Sequence, residues 1–210
     1  MTTLDRLDAP APAIAATFHA RAGEDPWSGG HVAPGHFAPV ITAGREFIAG
    51  PRPAGKRLER RMIPRQWGVP PPPSVPDASR TVLTVRNQDS PFWIGNLRNS
   101  EFRCLVPATS YMVWGKGLDK EGKRLRHWFA CADQTLFAFA GVWKDSEVPS
   151  FALLTCEPNA LLRAAGRETM PVILPPDPLV QDDWLYADWK RAEQLIAPYG
   201  SSMMREAGPD

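Results

Sequence analysis

An α+β fold is what the sequence predicts: one domain, 1–210, built on a curved or barrel-like, mostly antiparallel sheet with flanking helices. Three observations predict it. Short β-rich segments follow one another through the middle of the chain, helical periodicities lie outside them, and a polar, glycine-bearing loop returns the chain between two of the strands.

The strand segments are Cys104 to Val106, Tyr111 to Trp114, His127 to Cys131, Leu136 to Val142 and Phe151 to Thr155. Each is rich in aromatic or β-branched residues, which suit a pleated, half-buried surface. Between Trp114 and His127 the polar stretch GKGLDKEGKRLR has the composition of a hairpin loop, so antiparallel pairing follows. Upstream, Val40 to Thr42 reads as a strand after the turn-rich stretch Glu24 to Pro39, and Arg57 to Val69 alternates like one. Pro70 to Pro73 then breaks the pattern, because proline donates no ladder hydrogen bond, and strands resume with Val82, Leu83 and Val85. Helices are predicted over Pro10 to Ala22, Pro158 to Ala165 and Asp182 to Ile196, the last with Trp184, Leu185, Trp189, Ala192 and Ile196 on one stripe. The core is expected over about 1–200, with a short C-terminal tail over 201–210.

With 43% hydrophobic residues the chain can fill a real core, and a net charge of +1 confines any nucleic-acid surface to a local patch. No apolar run approaches the roughly 18 to 20 residues a membrane helix needs, and acidic residues stand where a signal peptide carries basic ones, so a cytoplasmic protein is expected. Cys104, Cys131 and Cys156 are odd in number and lack CxxC spacing, and each lies in an apolar run as a buried thiol would. His19, His31, His36 and His127 have no metal-ligand spacing. Neither a metal nor a cofactor is predicted.

Five segments in order, Gln66 to Pro70, Arg103 to Ala108, Phe137 to Trp143, Leu154 to Ala160 and Met170 to Pro175, make the chain resemble the SOS-response-associated peptidase (SRAP) family. That resemblance implies a protein that scans single-stranded DNA and captures abasic sites, with a self-processing peptidase activity. It also implies a cysteine after the initiator methionine, whose amine and thiol condense with the sugar aldehyde to a thiazolidine, served by an asparagine, a glutamate and a histidine.

This sequence departs from that pattern at every reactive position. Thr2 stands for the cysteine, Thr84 for the asparagine of an Asn-x-Arg triplet that keeps Arg86, Val113 for the glutamate, and Gly166 or Arg167 for the histidine. One lost acid or base costs about a hundredfold to ten-thousandfold in rate, so four together predict a pseudoenzyme. Peptidase or abasic-site lyase activity through the amine of Thr2 is the enzymatic alternative, and a scaffold that no longer binds DNA is the third.

The expected DNA surface is the basic segment Arg52, Lys56, Arg57, Arg60, Arg61 and Arg65, six cations within fourteen residues, with Trp67 and Trp93 as stacking faces and Arg86 on the backbone. A charged edge strand is the plainer reading of the same arginines. Arg86, following the strand residues Val82, Leu83 and Val85, is expected to be buried against a phosphate or a carboxylate such as Asp89 or Glu168. The partner expected is single-stranded DNA, with or without abasic sites, bound by a monomer.

Overall fold

The computed structural model describes residues 2–44, 58–72 and 81–208, with Thr2 and Thr3 given by their backbone. In chain order the strands are β1 Thr2–Leu7, β2 Ala20–Arg21, β3 Gly30–Val32, β4 Phe37–Thr42, β5 Arg60–Trp67, β6 Thr84–Val85, β7 Arg103–Ala108, β8 Ser110–Leu118, β9 Arg124–Cys131, β10 Phe137–Lys144, β11 Ser150–Cys156, β12 Met170–Pro171, β13 Ile173–Leu174 and β14 Met204–Ala207. The α-helices are α1 Ala11–Thr17, α2 Ile94–Arg98, α3 Ala160–Ala164, α4 Pro178–Tyr186 and α5 Trp189–Ala192. The predicted α+β class is observed, as a ring of strands rather than a clean barrel.

Antiparallel pairing runs β11–β10–β7–β4–β5, and β5 then returns to β11 in parallel, Gln66 opposite Ser150 and Trp67 opposite Phe151. Trp67 is fully buried at this closure, stacked on Phe151 at 6.3 Å with its indole N–H donating to the Leu83 carbonyl. A second sheet, β14–β9–β8–β1–β3, packs on the ring through Tyr111, whose ring meets Phe129, Phe137 and Phe139 at centroid distances of 5.4 to 6.4 Å. Large aromatics at such spacings fill the space between the two sheets and add directional ring contacts to simple burial.

Several boundaries differ from expectation for local reasons. The first helix stops at Thr17, because His19 takes φ +50° and the chain turns into β2, parallel to β5. The hairpin loop shrinks to Asp119–Lys123, where the Asp119 carboxylate accepts from the amides of Glu121 and Lys123, and both strands extend toward it. The predicted helix over 182–196 begins earlier, at Pro178, and breaks at Ala187; Asp188 then caps α5 by accepting from the Arg191 amide. A side chain that satisfies the free amides of a new helix start favours the break over continuation. The expected tail is no tail: Met204 to Ala207 pair with β9 and form the sheet's edge.

Arg60 corrects another expectation. It is 4% exposed, its guanidinium lying 2.7 Å from Asp182 and donating to the Phe18 and Pro178 carbonyls and to Gln181. It fastens α4 to the ring and is unavailable to a phosphate. Removing one partner of a buried pair leaves the other charge uncompensated. Asp182→Ala is therefore expected to lower stability by about 3 kcal/mol in urea unfolding. An unchanged midpoint would show that the pair does not hold the helix.

Cys104 and Cys131 are buried and Cys156 half-buried. Burial pushes the Cys131 and Cys156 thiols up to about 12, with Asp133 and Glu157 adding to the shift, and raises Cys104 as well. Because the folded-state values lie above the ordinary 9.0, this contribution to stability is complete below pH 9 and is lost between pH 9 and about 12. Iodoacetamide at neutral pH is expected to label the native thiols far more slowly than the urea-unfolded ones; equal rates would contradict that burial.

Candidate nucleic-acid interface

The end of β8 gathers the cations. Trp114 pairs with Arg126 on β9, and since alternate strand residues share a face, Arg124 joins them. The two guanidinium carbons lie 5.6 and 5.3 Å from the indole centroid, within cation–π range.

A third arginine arrives from the end of α3. Gly166 sits just past the helix with φ +76°, its amide donating to the Arg163 carbonyl while the Arg167 amide donates to Leu162. This is the helix stop that glycine favours, having no Cβ to clash in the left-handed region. The turn aims Arg167 at β8, where its Nη1 donates to the Trp114 carbonyl at 3.1 Å, and the stem of Lys116 packs on Gly166. Arg86 lies exposed just beyond β6. Burial comes first, and repulsion from Arg124 and Arg86 next, in lowering the Arg167 pKa below that of an ordinary arginine; Glu168 opposes the shift. Three segments distant in sequence thus bring guanidinium groups close enough to repel. An anion between them would relieve that repulsion.

Of the positions where the resemblance places reactive groups, Thr2 and Val113 meet in the second sheet beside this cluster. The Thr2 backbone lies opposite Val113, and Val113 lies opposite His127 on its other side. Strands sit about 4.8 Å apart, which sets Thr2 and His127 about 10 Å apart across Val113. Val113 is 1% exposed and belongs to the core. Thr84 is buried in β6, and Asn87, one residue beyond Arg86, uses its carboxamide oxygen to accept from the Asp89 amide.

His127 is the residue that sequence reasoning missed. Its Nδ1 lies 2.7 Å from Glu206 of β14, its ring stacks on Phe129, and its Nε2 lies over Gly115, where an added Cβ would come within 2.5 Å. A carboxylate on one ring nitrogen fixes the tautomer and leaves the other to accept a proton. Nothing in the local sequence signals this pair, since its members are 79 residues apart and one lies in the presumed tail.

The remaining sequence-predicted residues are placed elsewhere. Trp67 is buried at the ring closure and Trp93 is 4% exposed against Phe92 with Lys144 nearby, so neither offers an open stacking face. Arg65 is 8% exposed, its guanidinium 4.7 Å from the Trp143 ring, and Arg60 is the buried partner of Asp182. Arg61 is exposed on β5 opposite Arg21, in a different sheet from Trp114. Arg52, Lys56 and Arg57 lie outside the described residues. Arg86 is exposed, which corrects the expectation of a buried strand arginine: β6 is only two residues long and ends before it.

The profile of the SOS response associated peptidase (SRAP) family matches residues 6–207. This chain belongs to the SRAP family. Among solved structures it is similar to a protein of Bordetella bronchiseptica at 21% identity and TM-score 0.73, covering 100% of both chains. A protein of Bacteroides thetaiotaomicron matches at 18% identity and TM-score 0.72, over 97% of this chain and 90% of that one. A phage-related protein of Bordetella bronchiseptica matches at 17% identity and TM-score 0.68, over 99% and 93%. These likenesses concern the fold. No curated protein matches the chain. Membership in SRAP ties it to a DNA-damage-related function. Among the described residues no group of three His, Cys, Asp or Glu side chains could hold a metal ion, and no helix is long and apolar enough to cross a membrane.

Gly115→Ala tests the His127 arrangement. The new Cβ would force the imidazole off Glu206, with overpacking costing about 1 to 3 kcal/mol. The expected result is a changed tautomer pattern for His127 in long-range nitrogen–proton NMR spectra; an unchanged pattern would show that the ring does not depend on the missing Cβ.

Proposed function

We propose that this SRAP-family chain is a cytoplasmic, monomeric DNA-damage-response protein that binds single-stranded DNA, with or without abasic sites, and forms no durable covalent link to it. The observation that carries this reading is the gathering of Arg124, Arg126 and Arg167 at Trp114. Guanidinium groups track phosphates, and an aromatic face accepts a base of any identity. Threonine in place of the cysteine removes the thiol that a stable thiazolidine needs, and the buried Val113 supplies no proton-transfer group.

Fluorescence anisotropy with labelled single-stranded and duplex oligonucleotides tests it. Wild type should prefer the single strand, and Arg124→Gln and Arg167→Gln should each weaken binding about tenfold while lowering the salt slope by about 0.7 per lost phosphate contact. Equal affinity for single strand and duplex, or full affinity in both variants, would sink the reading.

A second reading, an abasic-site lyase acting through the Thr2 amine that removal of Met1 would free, is favoured by one observation: His127, held by Glu206, lies in the cross-strand row that contains Thr2 and Val113. An amine condenses with an aldehyde to a hydrolysable imine, which borohydride reduces to a permanent adduct. A single strand carrying one abasic site, run on a denaturing gel with and without borohydride, separates the two. An adduct only with borohydride, lost on blocking the amine, favours the lyase; a heat-stable adduct without borohydride contradicts both; retained binding with no adduct leaves the noncovalent reading.

A further inference from the structure

The Trp114 cluster is one end of a longer surface. Along β8 and β9, Trp114, Arg124, Arg126 and Trp128 share the outward face of the second sheet, and the same face continues to a cross-strand row formed by Arg6, Ser110, Ala130 and Arg205. From Trp114 to Ser110 is four residues of strand, about 13 Å. Small side chains at Ser110 and Ala130 leave a depression between the two arginines, a cavity of about 350 Å³ that Arg6, Asp8, Thr109 and Arg205 help to line. Trp128 stands between the two ends, half-buried, its ring 5.9 Å from His31 in an edge contact.

The charge on this face is one-sided. Its positions in β1, β8, β9 and β14 include four arginines and no acid. Asp5 faces the other way and is 3% exposed, and Glu206 is bound to His127 on the opposite face. Among the described residues that line the cavity, Asp8, which pairs with Arg6 at 3.0 Å, is the one carboxylate, against the two guanidinium groups of Arg6 and Arg205.

We infer that this outward face carries a second anchoring subsite for the same DNA strand, with Arg6 and Arg205 holding a phosphate over Ser110 and Trp128 stacking a base between that phosphate and the Trp114 cluster. The inference rests on the DNA-binding reading and extends it from one cluster to a track several nucleotides long. Unbound sheet faces with alternating cations and aromatics suit a single strand, whose bases are free to splay onto rings, better than a duplex, whose bases are stacked inside.

A length series of labelled oligothymidines tests it by anisotropy at low salt. Wild type should gain affinity steeply between about four and about ten nucleotides. Arg205→Glu, an exposed position, and Trp128→Ala should each remove about tenfold of the affinity for the longer strand, and Arg205→Glu should also lower its salt slope. Arg21→Ala, a cation removed from the other sheet, should bind all lengths as wild type does. If Arg205→Glu and Trp128→Ala keep the full length-dependent gain while Arg124→Gln loses affinity at every length, the second subsite is overturned and the Trp114 surface stands. If Arg124→Gln also binds as wild type, the DNA-binding reading fails and this inference with it.

Discussion

The parallel contact of Gln66 and Trp67 with Ser150 and Phe151 is the constraint on which the rest of the structure depends. The antiparallel pairings alone would leave an open sheet whose β5 and β11 edges were covered only by the two-residue strands β2 and β6, and exposed edges invite pairing with other chains. Closing them into a ring encloses an aromatic core and gives the second sheet a curved surface to pack on. Trp67 also carries the closure outward. Its indole bond to the Leu83 carbonyl, together with the Thr155 hydroxyl bond to the Val85 carbonyl, holds β6 against β11 and sets where Arg86 emerges.

The cation cluster follows from three ordinary backbone events. A hairpin brings Arg124 and Arg126 alongside Trp114, a glycine-stopped helix turns Arg167 back toward the same tryptophan, and a two-residue strand ends beside them at Arg86. None of these arrangements requires like charges to meet, and meeting adds to burial, the larger cause, in lowering the Arg167 pKa. The Arg60 guanidinium shows the contrasting case. There a carboxylate, two carbonyls and a carboxamide surround one cation, and the result is a fastening between helix and ring. Pooled cations and satisfied cations have the same formal charge and opposite meanings.

Strand segments in the middle of the chain were legible because aromatic and β-branched residues dominate them and turns interrupt them at short intervals; every one of the five was found, longer by one or more residues. Period and composition were less informative at the ends. Asp188 divides the last helix through a side-chain bond that a hydrophobic stripe cannot reveal, and β14, with the pattern Met-Arg-Glu-Ala, pairs with β9 without a strand-like sequence of its own. The candidate surface was misread for a related reason. Arg86 was singled out from the sequence, but density of arginine between positions 52 and 65 drew attention to β5, where Arg60 and Arg65 are buried, whereas the cations that meet at Trp114 come from residues 124, 126 and 167.

By itself the sequence determined the family, the α+β class and the absence of the thiol, amide, carboxylate and imidazole from the positions where the resemblance expects them, because these are statements about residue identity and order. Tertiary structure alone decided which arginines gather at an aromatic ring and which brace the fold. It also decided that His127 meets Glu206 and that Trp114, rather than Trp67 or Trp93, is the ring left beside the cations. The physical reason is sequence separation. Arg60 finds Asp182 122 positions away and His127 finds Glu206 79 away, so the partner that fixes each charge's role is chosen by sheet register and ring closure, neither of which any local stretch of chain contains.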